Sequence, residues 1–189
     1  RDHNQVELQQ YSTPRAEALL VVNAAGLKSG MCVLEPSAGT GNIAVLARLM
    51  GAQVETNEID PRRRQLLSLQ GFEPLSLDAE RLDNLLPAEQ TYHAVVMNPP
   101  FSATGGRVQG HNTSFGARHL EQALLRLTPG GRMVAIVSGG IALERPTFRQ
   151  SWTEVRKPYR IRAHVGLDGL RERSVRQPCD HEMFVHASS

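Results

Sequence analysis

"MCVLEPSAGTGNIAVLARLM", residues 31–50, carries the reading of the fold. An apolar run (31–35) suits a strand covered on both faces. Gly39 and Gly41 then allow a sharp turn, and from Asn42 apolar residues recur at helical spacing. Strand, glycine turn and helix form the opening unit of a parallel α/β sheet, with backbone N–H groups at the helix start aimed at a ligand. The turn departs from the G-x-G-x-x-G pattern, since its third position is Ala44, which that pattern tolerates. Glu35 ends the strand. A carboxylate there repels a pyrophosphate and attracts an ammonium group, so a cofactor with an amino-acid end suits the loop better than a dinucleotide.

The same unit recurs along the chain. "QVETN" (53–57), "YHAVVM" (92–97) and "GRMVAIVS" (131–138) read as strands. "NIAVLARLM" (42–50), "PRRRQLLSL" (61–69) and "FGARHLEQALLRL" (115–127) read as helices between them. This alternation predicts an α/β protein, Rossmann-like, with helices on both faces of a mostly parallel sheet. Thr13–Pro14 and Asp60–Pro61 mark helix starts, with Asp60 as an N-cap. "YRIRAHVGL" (159–167) and "EMFVHA" (182–187) are expected to be a final pair of strands. One domain over 1–189 is expected: an N-terminal helical segment over 1–28, a core over 29–189, and no separate target-recognition domain.

Composition narrows the function classes. The 189 residues are 40% hydrophobic and 21% charged, as in ordinary globular chains. No apolar run approaches the roughly 18 residues of a membrane span, so no membrane partner is expected. Cys32 and Cys179 give no disulfide framework, and a reducing cytoplasm is the expected location. Neither "CDHE" (179–182) nor the seven histidines have metal-ligand spacing, so no metal is expected. Net charge is only +2, but residues 145–176 hold many arginines and few acids. A solvated basic face and a phosphate-facing surface are the two readings of that stretch.

Ligands of open parallel sheets lie beyond the carboxyl ends of the strands. There, Glu58 is placed to hold both hydroxyls of a ribose, and Asp78 to accept from an adenine amine, a cap or loop role being its plain alternative. An amino-acid end, a ribose and an adenine together describe S-adenosylmethionine. "LEPSAGTG", "NEID", "LDA" and "NPPF", with "QQYSTP" (9–14) ahead of them, resemble the motifs of SAM-dependent amino-methyltransferases, best known as N6-adenine DNA methyltransferases. The resemblance covers about residues 9 to 138 and implies the family's fold, a mostly parallel seven-stranded sheet. It places Tyr11 and Thr13 at the methionine end, and Glu35, Pro36, Ser37, Ala38, Gly39, Thr40, Gly41, Asn42 and Asn98 along the cofactor. Glu58 would hold the ribose, Ile59 would pack on the adenine, and Asp78 would face its amine.

"NPPF" (98–101) supplies the catalytic candidates Asn98, Pro99, Pro100 and Phe101. An exocyclic amine is a poor nucleophile because its lone pair is delocalised into the ring. The Asn98 side-chain oxygen and the Pro99 carbonyl can accept both its N–H bonds, which stabilises charge growing on nitrogen during attack. The prolines fix that carbonyl and offer no competing donor. Phe101 offers a stacking face, and a base inside a duplex would be flipped out to reach it. "SATGGRVQGHNTS" (102–114) suits a substrate-clamping loop, with Arg107 toward a phosphate and His111 toward a base; disorder without substrate is the other reading.

The resemblance therefore implies methyl transfer to N6 of adenine in DNA, with nucleic acid as partner and DNA favoured over RNA. RNA adenine, cytosine N4 and a protein glutamine amide share the same geometry. A SAM- or nucleic-acid-binding module without turnover is the alternative from another class. The small space after "AIVS" also suits the catalytic piece of a longer, helicase-like mobile-element protein.

Overall fold

The computed structural model describes residues 12–100, 114–138, 159–166 and 181–188, with side chains over 12–100 and 118–136. Among them are strands β1 (Cys32–Glu35), β2 (Gln53–Thr56), β3 (Tyr92–Met97), β4 (Leu127–Ser138), β5 (Tyr159–Gly166) and β6 (His181–Ser188). The helices are α1 (Arg15–Ala25), α2 (Asn42–Leu49), α3 (Pro61–Leu69), the short α4 (Leu82–Leu85) and α5 (Ser114–Leu124). The strands form one sheet in the order β2-β1-β3-β4-β6-β5. Pairs β1–β2, β1–β3 and β3–β4 are parallel, whereas β6 runs antiparallel to β4 and β5.

Period-two alternation sends neighbouring residues of each inner strand into two separate cores. Val33, Ala94, Val96, Val134 and Ile136 pack beneath α1 and α2, against Ala18, Val21, Val22, Ile43 and Ala47. Leu34, Val95, Met97, Met133 and Ala135 pack on the opposite face against Leu82, Leu120 and Leu124. Each fully buried Leu, Ile or Val contributes about 1.5–3 kcal/mol, and the two layers together fix the register. The order of connection reverses between β1 and β3, which opens a crevice beyond Glu35 and Met97.

Several boundaries differ from the sequence expectation, each for a physical reason. The N-terminal helix does not extend to residue 28. Gly26 takes a left-handed φ of 60°, and its N–H closes on the Asn23 carbonyl at 3.0 Å. The sheet holds six strands among the described residues. Ahead of Asp78 the chain meets the sheet through one parallel bridge, Asn57 to Leu75. A 3-10 turn (Ala79–Arg81) follows it, capped by Asp78, which accepts from the Glu80 N–H at 3.0 Å. The last core helix stops at Leu124 and β4 begins earlier than "GRMV" suggests. Arg126 causes both. Its buried guanidinium pairs with Asp83 at 2.8 Å and donates to the carbonyls of Leu86 and Pro87 at 3.1 and 2.6 Å. Its own carbonyl accepts from Tyr92 N–H at 2.8 Å, drawing the chain into the sheet at once.

The Asp60 cap and Pro61 start of α3 are found as expected, with Arg63 N–H bonded to Asp60 Oδ1 at 2.9 Å. The final strand pair is also found, at Tyr159–Gly166 and His181–Ser188. Tyr11, Phe101, Arg107, His111 and Cys179 lie outside the described residues, as do 145–158 and 167–176 of the basic stretch. Among the described residues, no helix is long and apolar enough to cross a membrane, and no three His, Cys, Asp or Glu side chains are grouped to hold a metal.

Candidate active site

The crevice beyond β1 and β3 gathers the residues that the sequence scattered. Glu35 ends β1 with 2% of its surface exposed, and burial holds its carboxyl well above the usual range. The backbone N–H of Ala44 bonds to this carboxyl, while its Oε2 atom has no hydrogen-bond partner. From there the loop Pro36 to Gly41 turns toward α2. Its two glycines do different work. At Gly39, with φ 58°, a Cβ would lie 3.3 Å from Arg63 Nη1. At Gly41, with φ 87°, it would lie 2.8 Å from Leu67 Cδ2 and 3.0 Å from Gln70 Oε1. At Gly41 the left-handed φ itself favours glycine, and α3 packs closely on the turn beside it.

Glu58 lies just past β2 and is buried, which pushes its carboxyl pKa upward. It accepts the Gly39 N–H at 2.7 Å through Oε2 and the Asp60 N–H at 2.9 Å through Oε1. Each oxygen keeps a further lone pair for a ligand donor. Beside it Ile59 is 56% exposed, an apolar side chain open to cover a planar group. Asp78 is exposed and serves first as the cap described above.

Asn98 follows β3. Its Nδ2 donates to Thr13 Oγ1 at 3.0 Å, and its Oδ1 is buried with no hydrogen-bond partner among the described residues. Pro99 is buried and Pro100 half-buried. The segment before α1 joins this end of the site to the other: Asn42 Nδ2 donates to the Thr13 carbonyl at 2.6 Å, and Ser12 Oγ lies 2.7 Å from Thr40 Oγ1. The structure therefore brings Thr13, Glu35, the 36–42 turn, Glu58 and Asn98 around one crevice.

Three contributors escaped the sequence reading. Asn57 is 1% exposed and donates to the carbonyls of Pro36 and Leu77, both at 2.9 Å, while its Oδ1 accepts the Leu77 N–H at 2.8 Å. It rivets the turn after β1 to the segment leading to Asp78. Gln70 caps α3 and donates to the Thr40 carbonyl at 3.0 Å. His119, on α5, is 6% exposed with Nδ1 at 3.3 Å from Ser37 Oγ. Only Asn57 offered a signal, as an amide beside the chosen acid in "TNEID".

Burial lowers the His119 pKa to about 4, with Asp78 opposing the shift. The unfolded chain, near 6.5, then binds this proton more tightly. The stabilisation is full above about pH 6.5 and is lost as pH falls toward 4. Between pH 7 and 5 this group costs the fold on the order of 2 kcal/mol. His119→Asn is expected to flatten the pH slope by that amount, read from urea midpoints of both proteins at the two pH values. Parallel slopes would remove His119 from the account.

The chain matches no protein-family model. The tRNA (guanine(10)-N2)-dimethyltransferase of Methanothermobacter thermautotrophicus is 27% identical to it over 157 residues, 79% of this chain and 45% of the relative. The chain thus spans less than half the length of that relative. Among solved structures, TrmN from Thermus thermophilus superposes with a TM-score of 0.66 at 21% identity, covering 100% of this chain and 53% of its own. The M protein of the type I restriction enzyme EcoKI gives 0.70 at 19%, covering 98% and 46%. A putative class I S-adenosylmethionine-dependent methyltransferase from Listeria monocytogenes gives 0.72 at 16%, covering 96% and 62%. The fold is that of the class I SAM-dependent methyltransferases.

Proposed function

We propose that this chain is the catalytic unit of a SAM-dependent methyltransferase acting on an exocyclic amine of a nucleic-acid base, with N6 of adenine in DNA as the first choice. One observation carries the reading: the buried Asn98 Oδ1 has no partner, beside a proline pair at the mouth of the crevice. A buried acceptor left unsatisfied costs about 1–3 kcal/mol, so its retention makes sense where an arriving N–H satisfies it.

The residues present fit the cofactor. Another buried oxygen without a partner among the described residues, Glu35 Oε2, suits an ammonium group. The spare lone pairs of Glu58 suit vicinal hydroxyls, Ile59 suits the face of a base, and Asp78 its amine. Thr13 and the 36–42 turn border the amino-acid end, with Tyr11 assigned there by the sequence motif. Bound S-adenosylmethionine supplies an electrophilic methyl group on a sulfonium. This chain's part is to hold the target nitrogen in line with it and to stabilise charge on that nitrogen as the new bond forms. The Asn98 oxygen and the Pro99 carbonyl would accept hydrogen bonds from the two amine N–H groups, and Phe101 would stack on the base. As the methyl leaves its sulfur, which is left a neutral thioether, the methylated nitrogen sheds one proton to water. No covalent enzyme intermediate is needed.

A base-paired target would be flipped into the pocket. Likeness to a type I restriction M protein favours DNA. The 27% identity to a tRNA guanine-N2 enzyme supports a second reading, in which the amine belongs to RNA. Both targets offer two N–H donors on a planar ring, so the same acceptors serve either. Radiolabelled methyl transfer to DNA, RNA and protein in parallel, followed by nucleoside analysis, separates them. N6-methyldeoxyadenosine is the expected product; N2-methylguanosine would move the assignment to RNA, and label only in protein would refute a nucleic-acid target.

Glu58→Ala is expected to weaken S-adenosylmethionine binding by about 1–3 kcal/mol, because the ribose hydroxyls lose their acceptor. The structure adds a second effect, since the Gly39 and Asp60 N–H groups are released as well. Calorimetry giving the parent affinity would count against this placement of the ribose.

A further inference from the structure

We infer that Thr13 is the positioning residue that sets which way the Asn98 amide faces. The inference rests on the methyltransferase reading above and assigns Thr13 a task beyond bordering the cofactor. An asparagine amide is nearly symmetric in shape, and a half-turn about its last bond exchanges oxygen and nitrogen. Packing alone distinguishes them poorly; hydrogen-bond partners decide. A target amine brings N–H donors, so an amide nitrogen turned toward it would set donor against donor. The Thr13 hydroxyl lies 3.0 Å from Asn98 Nδ2 and accepts from it. A hydroxyl can also donate, but at the amino-acid end of the cofactor its proton would go to the carboxylate there. Toward Asn98 it therefore acts as acceptor, and Oδ1 is the atom left without a partner among the described residues.

Thr13 is itself held in place. Its carbonyl accepts from Asn42 Nδ2 at 2.6 Å, and the same amide reaches Ser12 Oγ at 3.2 Å. Ser12 Oγ in turn lies 2.7 Å from Thr40 Oγ1. Bonds from the glycine turn thus fix the residue that orients the amide at the end of β3. The arrangement couples the turn after the first strand to the acceptor at the far side of the crevice.

Valine has the shape of threonine without the hydroxyl, so Thr13→Val removes the acceptor at nearly constant volume. The amide then samples both orientations, and single-turnover methylation at saturating S-adenosylmethionine is expected to slow about 5- to 10-fold, the scale of one net hydrogen bond. Thr13→Ala serves as a second variant with the same expected direction. Thr13→Ser keeps the hydroxyl and is expected to stay within about twofold of the parent.

A double-mutant cycle separates orientation from general damage. In an Asn98→Ala background there is no amide to orient, so adding Thr13→Val is expected to cost no further rate. A readout independent of turnover is the Asn98 side-chain amide resonance in selectively 15N-labelled protein, identified by its loss in Asn98→Ala. Its protons are expected to exchange with solvent faster in Thr13→Val than in the parent. A parent chain that methylates neither DNA nor RNA would refute the functional reading and the rate claim with it. A working parent whose Thr13→Val variant keeps full rate, loses the same factor with and without Asn98, or shows unchanged amide exchange would refute the role of Thr13 alone.

Discussion

Asn98→Ala is expected to cut the rate of methyl transfer by about 100-fold or more while leaving S-adenosylmethionine affinity close to that of the parent. The magnitude is that of losing one hydrogen-bond partner matched to the transition state. The separation between rate and affinity follows from where the contacts lie. Most of the proposed cofactor contacts belong to Glu35, the 36–42 turn and Glu58, none of which bonds to Asn98; its side-chain partner Thr13 only borders the amino-acid end. Removing the amide also removes a buried unsatisfied oxygen, so stability should fall little. Single-turnover labelling and calorimetry on the same preparation would read both quantities. Methylation at nearly the parent rate would sink the proposed mechanism and leave the fold untouched.

Asn57→Ala is expected to act through the scaffold and to damage both stability and binding. Its side chain makes three hydrogen bonds in a fully covered place, to the Pro36 carbonyl, the Leu77 carbonyl and the Leu77 N–H. Losing them strands buried backbone groups, at a cost of about 3 kcal/mol after partial relaxation. For a chain of this size that lowers the melting temperature by roughly 6–12 °C. Affinity for S-adenosylmethionine is expected to drop about tenfold or more, because the turn after β1 and the segment before Asp78 no longer share an anchor, and each lost 1.4 kcal/mol is a factor of ten. Asn57→Asp keeps the acceptor for Leu77 but sets a carboxylate against two carbonyls, so it is not expected to rescue the fold. A variant melting within about 2 °C of the parent would show that Asn57 is dispensable.

By itself the sequence determined the layer order and the positions of most strands. "CVLE", "YHAVVM" and "RMVAIVS" are mostly apolar, β-branched-rich and short, a pattern that suits strands of a sheet covered on both faces. It also marked the residues at the strand ends, because chemistry there needs particular side chains: an acid at 35, an acid at 58, an amide before two prolines. Local rules sufficed for the Asp60 cap, whose partner is three residues away. What they could not supply is any relation between residues distant in the chain. Asn57 with Leu77, Ser37 with His119, and Thr13 with Asn98, 85 residues apart, meet only because the sheet order brings their loops to one edge. The same limit applies near Leu75, where pairing with Asn57 ends after one bridge. It explains the early start of β4 as well, set by the buried charge of Arg126 on carbonyls some 40 residues back. Hydrophobic period is a property of neighbours in sequence, whereas the satisfaction of buried polar groups is a property of neighbours in space. The first wrote the fold into the chain; the second, decided only in the tertiary structure, left one oxygen of Asn98 open at the site.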